Sequence, residues 1–164
     1  MKLTAIVACD GKLGIGKGND IPWHIPEDFR HFKAETINKT ILMGRKTFES
    51  LPTGALPKRR NVVLTRDKTF TAPNVEVIHD LYSYLETKAH MDGEIMVIGG
   101  GQIYKALSDR LDSCIVTHVH GEYECDTFID LWGMVDGMTL TTTKDLEDNG
   151  SSPEAHVNYY DRNA

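Results

Sequence analysis

The stretch E-I-M-V-I-G-G-G-Q-I-Y, residues 94–104, is an apolar, strand-forming run that breaks into three glycines and resumes as a helix. A continuous apolar run is what a strand buried on both faces requires, and a helix directly after it is the mark of a parallel sheet. The glycines also matter chemically. Backbone without side chains at a helix start can approach a phosphate closely, with free N–H groups and the helix dipole directed at it. The run matches neither G-x-G-x-x-G nor G-x-x-x-x-G-K-[ST], and a plain strand-to-helix turn explains it equally well.

Working outward from that unit, seven further β-rich runs stand at Leu3 to Ala8, Thr40 to Met43, Asn61 to Thr65, Val75 to Ile78, Ser113 to His120, Met138 to Thr143 and Ala155 to Tyr160, beside the strand at Glu94 to Ile98. Helical patterns fit Pro26 to Ile37, Arg45 to Leu51, Leu81 to Ala89 and Gly101 to Asp109. This alternation predicts an α/β fold with a central, mostly parallel eight-stranded sheet flanked by about four helices. The last two strands have no helix between them, so an antiparallel edge is expected there. With 164 residues and no repeat or linker, the chain 1–164 is expected to form a single domain.

The net charge of −6 argues against a nucleic-acid binder that works by neutralising phosphates, although cations gathered locally suit a small anionic ligand. Cys9, Cys114 and Cys125 are widely separated, which suggests neither a disulfide framework nor a zinc cluster and favours a reducing cytoplasm. The opening M-K-L-T-A-I-V-A-C-D reads as a first strand: its apolar run is too short for a membrane span and lacks a cleavage signature. No membrane or nucleic-acid partner is expected, and the absence of an obvious exposed apolar stripe suggests a monomer.

Two strand ends resemble the glycine turn. M-G-R-K-T, residues 43–47, opens a helix with Arg45, Lys46 and Thr47, where cations are electrostatically misplaced unless a polyanion binds. R-N-V-V-L-T-R, residues 60–66, presents Thr65 and Arg66. Ligands of open α/β sheets lie beyond the carboxyl ends of the strands, so the three ends should converge on one crevice. Two phosphate sites, one rich in arginine, suggest a phosphorylated dinucleotide. The glycine-rich segment Asp10 to His24 is a long loop of the kind that carries function.

Asp28 interrupts an apolar stripe. Counted from Ile25, positions +3, +4 and +7 are Asp28, Phe29 and Phe32, the face a helix buries. Pro26 suits the first helical position, and Glu27 and Asp28 would stabilise the first turn, which explains an acid but not its face. A carboxylate on a buried stripe costs free energy unless paired, so Asp28 is a candidate functional group. His118 and His120 share a strand face near Cys125 and Asp126, but without a third spaced ligand no metal site is expected.

In order and spacing, G-I-G-K-G-N-D-I-P-W-H-I-P-E-D-F at 14–29, M-G-R-K-T-F-E-S-L at 43–51, L-P-K-R-R-N-V-V-L-T-R at 56–66, V-I-G-G-G-Q-I-Y at 97–104, T-H-V at 117–119 and D-T-F at 126–128 resemble the dihydrofolate reductase family over nearly the whole chain. The resemblance implies reduction of 7,8-dihydrofolate by NADPH, with hydride delivered to C6 and a proton to N5, in support of thymidylate and purine synthesis. It places Asp28 on the pterin's amino group and ring N–H, with Thr117 bracing the carboxylate, Trp23 holding a water, and Ile21 and Tyr104 beside the reacting rings. Ile6, Ala8, Phe29, Phe32, Lys33, Leu51, Leu56 and Ile98 would complete the substrate pocket, and Arg59, rather than Arg60, would take the substrate's α-carboxylate. For the cofactor it implies Arg45, Leu64, Thr65 and Arg66 near the 2′-phosphate. Gly44, Lys46, Thr47 and the turn Gly99, Gly100, Gly101, Gln102, Ile103 and Tyr104 would lie near the pyrophosphate, with a cis bond between Gly99 and Gly100. Ala8, Gly14, Ile15, Gly16, Asn19, Asp20 and Ile98 would lie near the nicotinamide, under a mobile lid formed by 10–24. Two alternatives remain at this point: a reductase of another pterin or of a ribityl pyrimidine, and a module that binds NADPH without turnover.

Overall fold

The computed structural model describes residues 1–87, 93–147, 150 and 152–164. Among these, β1 (Lys2–Cys9), β3 (Thr40–Gly44), β4 (Arg60–Leu64), β5 (Val75–Ile78), β6 (Glu94–Gly99), β7 (Ser113–Val119), β9 (Thr139–Asp145) and β10 (Ala155–Asp161) form an eight-stranded sheet in the order β5-β4-β3-β6-β1-β7-β10-β9. Pairings from β5 through β7 are parallel. β10 runs antiparallel to both β7 and β9, so it is the one reversed strand of this sheet. The helices are α1 (Pro26–Thr36), α2 (Arg45–Ser50), α3 (Leu81–Thr87), α4 (Gly101–Leu107) and α5 (Leu131–Met134). The last two residues of the helix expected over 81–89 lie outside the described residues. No helix among the described residues is long and apolar enough to cross a membrane.

The pleat divides each strand between two cores. Leu3, Ala5, Val7 and Cys9 of β1, Leu42 of β3, and Ile95 and Val97 of β6 face one side, where Leu81, Tyr84 and Leu85 of α3, Ile103, Tyr104 and Leu107 of α4, and Leu131 and Met134 of α5 cover them. The alternate residues Ile6, Ile41, Met43, Met96 and Ile115 face the other side, against Phe32 of α1 and Phe48 and Leu51 beside α2. Burial on both faces is what the uninterrupted apolar runs demanded.

Three short elements depart from the expected pattern. Inside the segment read as a loop, β2 (Gly14–Gly16) pairs with β8 (Thr127–Phe128) as a separate two-stranded sheet. Strands of three and two residues are too short to leave a period in the sequence. The fifth helix, α5, spans four residues and is capped by Asp130, whose side chain accepts from the Gly133 N–H.

The loop 10–24 is rooted by Asp10, which is 3% exposed. Its Oδ1 accepts from the N–H groups of Lys12 and Gly14, both at 2.9 Å, and its Oδ2 from Tyr123 N at 3.0 Å and Cys125 Sγ at 3.6 Å. A side chain at position 14 would run into Cys125, so the glycine there makes room for the thiol. Burial opposes ionisation of Asp10, but the N–H groups of Tyr123, Gly14 and Lys12 outweigh it and hold the carboxyl below the ordinary range.

A carboxylate with a depressed native value adds stability above its unfolded value, near 3.8, and loses it as pH falls through the lower native value. Asp10→Asn should therefore lower the unfolding free energy at neutral pH by about 2 kcal/mol, since a bond-accepting charge is replaced by an amide that meets N–H donors. In urea unfolding across a pH series, the parent's margin over the variant should shrink only on the acid side of about pH 4. A margin independent of pH would refute this account.

Candidate active site

Three adjacent strands, β4, β3 and β6, end together. Gly44 is in register with Leu64, and Met43 with Gly99, so the G-R-K-T, T-R and G-G-G ends converge as the topology required. The cleft they border, of about 470 Å³, is also lined by Ile6 and Ala8 of β1, Asp28 and Phe32 of α1, and Thr117 of β7.

At one end stands the glycine turn. The Gly99–Gly100 peptide is cis, as the family resemblance implied. Cβ atoms on Gly99 and Gly100 would press on Thr47 Oγ1 at 3.1 and 3.3 Å, and one on Gly101 would meet Thr127 Cγ2 at 3.2 Å, so the turn stays open because it lacks side chains. Neither α2 nor α4 has a side-chain cap or an acid in its first turn. Uncapped N–H groups, Lys46, Thr47 and missing Cβ atoms are the donor set a pyrophosphate requires, so the residues present fit the nucleotide.

Arg45 and Arg66 differ. Arg45 is held by Asp67 at 2.9 Å and Glu49 at 3.4 Å, and its guanidinium lies 4.8 Å above the Phe70 ring. Arg66 is exposed and has no ion-pair partner among the described residues. Asp67 is absent from the sequence reading, because nothing in its spacing shows that it folds back on Arg45. Thr65 is buried, and its hydroxyl accepts from Asp67 N at 3.1 Å, which shapes that corner.

At the other end is Asp28. Thr117 Oγ1 donates to its Oδ1 at 2.7 Å, while Oδ2 has no protein partner among the described residues. Burial pushes the carboxyl above the ordinary range, against the opposing pull of the Thr117 hydroxyl and of His31. Glu27 keeps the plain helical role, pairing with Arg30 at 2.8 Å. The phenylalanines do not bury as a stripe: Phe29 is 50% exposed and lines the cleft, with Phe32 half-buried beside it. That face of α1 is split, with Asp28 and Phe29 turned to the cavity and Phe32 packed between cavity and core, which corrects the expectation drawn from periodicity.

Arg59 lines the cleft with Leu56, Leu51 and Lys33, whereas Arg60 pairs with Glu76 at 2.6 Å. Arg59 is itself steadied by bonds from Nε to Pro57 O and from Nη1 to Thr36 Oγ1. The 10–24 loop reaches across to α2, where Asn19 Nδ2 donates to Lys46 O at 3.0 Å, and Ile15, Gly16, Asp20 and Ile21 join the lining. Tyr104 lines the cleft too, its hydroxyl donating to Ile6 O at 2.7 Å and its acidity weakened by burial, which pushes the phenol's pKa up.

Other expected residues stand behind the lining. Trp23 is 6% exposed and packs edge-on against Tyr123 at 5.4 Å. Ile103 belongs to the core, Leu64 packs against it, and Gly14, Gly44 and Gln102 do not line the cleft. His118 and His120 are engaged with His156, the former stacked at 5.0 Å and the latter bonded at 3.0 Å. No group of three or more potential metal ligands gathers among the described residues.

This arrangement recurs in known proteins. Over 162 residues the chain is 35% identical to the dihydrofolate reductase of Staphylococcus haemolyticus, covering 99% of this chain and 96% of that one. It is 43% identical over 128 residues to that of Neisseria meningitidis serogroup A, covering 78% of each. A solved dihydrofolate reductase from Enterococcus faecalis, complexed with NADP(H) and RAB-propyl, superposes with a TM-score of 0.90 at 32% identity, covering 99% of this chain and 97% of that chain. A family model described as dihydrofolate reductase matches residues 2–162, and this chain belongs to the dihydrofolate reductase family.

Proposed function

We propose that this chain reduces 7,8-dihydrofolate to 5,6,7,8-tetrahydrofolate in the cleft beyond the ends of β1, β3 and β6, with NADPH as reductant, the product serving one-carbon transfer to thymidylate and purines. The observation that carries this reading is the Asp28 carboxylate, braced by Thr117 on one oxygen and open on the other, at the end of the cleft away from the glycine turn. The open oxygen suits the adjacent amino and N–H donors of a pterin edge, a pairing strong enough to justify a buried acid.

When bound, NADPH supplies the hydride that C6 of the pterin receives. The chain's own residues bind, orient and exclude water. Thr47 and the 99–101 backbone would hold the pyrophosphate, Arg66 with Arg45 the 2′-phosphate, and Arg59 the substrate carboxylate. Ile6, Ala8, Ile21, Phe29, Phe32, Leu51 and Ile98 would wall the rings. Asp28, whose burial lets it keep a proton to higher pH than an exposed carboxyl, governs protonation of N5 through the pterin it binds.

Three outcomes are expected. Asp28→Asn should cut dihydrofolate-dependent NADPH oxidation by about 100-fold or more near neutral pH while leaving NADPH affinity unchanged; a near-normal rate would sink the assignment. Where hydride transfer limits, the rate should fall as pH rises through the raised Asp28 value, because the proton supply is then lost; a rate that climbs with pH would contradict it. Arg66→Ala should raise the KM for NADPH by roughly tenfold, with little change for NADH, and by more than Arg45→Ala, whose guanidinium is already shared with Asp67. Equal use of both cofactors by the parent would count against the phosphate site.

A further inference from the structure

Asp28 has company on α1. Asp28, His31 and Glu35 are spaced i, i+3 and i+7, which puts three titratable groups on one side of the helix. His31 is 7% exposed, lines the same cleft as Asp28, and its Nε2 is buried with no hydrogen-bond partner. A buried ring nitrogen without a partner is costly, so a neutral imidazole set there needs an explanation beyond packing.

The groups facing it come from three elements. From α1, Asp28 and Glu35 attract a proton to the ring; from β9, Lys144 repels one. From β10, Tyr159 meets the ring edge-on at 6.3 Å and donates its hydroxyl to Glu35 Oε1 at 3.4 Å, so Glu35 is partly spoken for. Asp28 is the group that shares both helix turn and cleft with His31.

Resting on the assignment of Asp28 above, we propose that His31 is a positioning residue for the reductase: its buried imidazole is electrostatically yoked to Asp28, and the two take up and release protons as a pair. Burial pushes the imidazole below the ordinary histidine range and the carboxyl above the carboxylate range, which brings the two titrations toward each other. An imidazolium at position 31 favours the Asp28 carboxylate, and the carboxylate favours the imidazolium. Removing either should shift the other.

The test uses the whole chain. By imidazole NMR titration, Asp28→Asn should move the His31 midpoint to lower pH, since the attracting carboxylate is gone. In His31→Gln, which keeps a hydrogen-bonding edge but cannot become a cation, the limb of the kcat/KM profile assigned to Asp28 should move to higher pH by about half a unit, roughly a threefold change in rate on that limb. An unmoved His31 midpoint in Asp28→Asn, or a His31→Gln profile superimposable on the parent's, overturns the pairing. If His31→Gln fails to fold, the Asp28→Asn titration decides alone, because it leaves His31 in place. The NMR readout does not depend on turnover. Loss of the pairing with dihydrofolate reduction intact, and retention of the pairing without it, therefore separate this inference from the proposed function.

Discussion

The 2.7 Å bond from Thr117 to Asp28 joins residues 89 apart in sequence, and the rest of the site depends on it. It ties α1 to β7 across the mouth of the sheet and satisfies one oxygen of a desolvated acid. An exposed carboxylate would be indifferent to such a bond. A buried one is costly without it. The same desolvation raises the acidity midpoint of Asp28 above the ordinary carboxyl range.

Opposite this acid, the protein assembles cations in a chain that is acidic overall. The parallel order β4-β3-β6 brings three strand ends side by side, and those of β3 and β6 open helices with glycine, cation or hydroxyl and no capping acid. Local geometry therefore overrides net charge. Not every cation is free: Arg45 sits between Asp67, Glu49 and the face of Phe70, a rigid placement that leaves Arg66 as the more available charge.

The 10–24 loop borders the same cleft. Its root is fixed by Asp10, whose carboxylate gathers donors from both the loop and the 121–125 segment, and its tip touches α2 through Asn19. The complementarity of Gly14 and Cys125 adds a steric lock at the base. Toward its tip the loop is held by Asn19 on Lys46 O and by the Gly18 N–H on Asp126 Oδ2.

All eight strands of the main sheet and four of the helices were legible in the sequence, because a strand buried on both faces and a helix docked on a sheet leave a local apolar signature. Asp28 was legible as an acid out of pattern, and the three strand ends were legible as glycine-, cation- and hydroxyl-bearing segments brought side by side. Elements of two to four residues, β2, β8 and α5, leave no period to read. Nor does periodicity distinguish a helix face turned to a cavity from one turned to a core, which is why Phe29 proved half-exposed. Asp10 with Tyr123, Arg45 with Asp67, and His31 with Tyr159 are partnerships that only chain reversal creates. The local sequence thus determined which segments would be buried and which residues carried charge, because hydrophobic period and residue type are local properties. Tertiary structure decided which charges meet and which stay open to a ligand, because electrostatic and hydrogen-bond energies depend on distances that sequence separation does not contain.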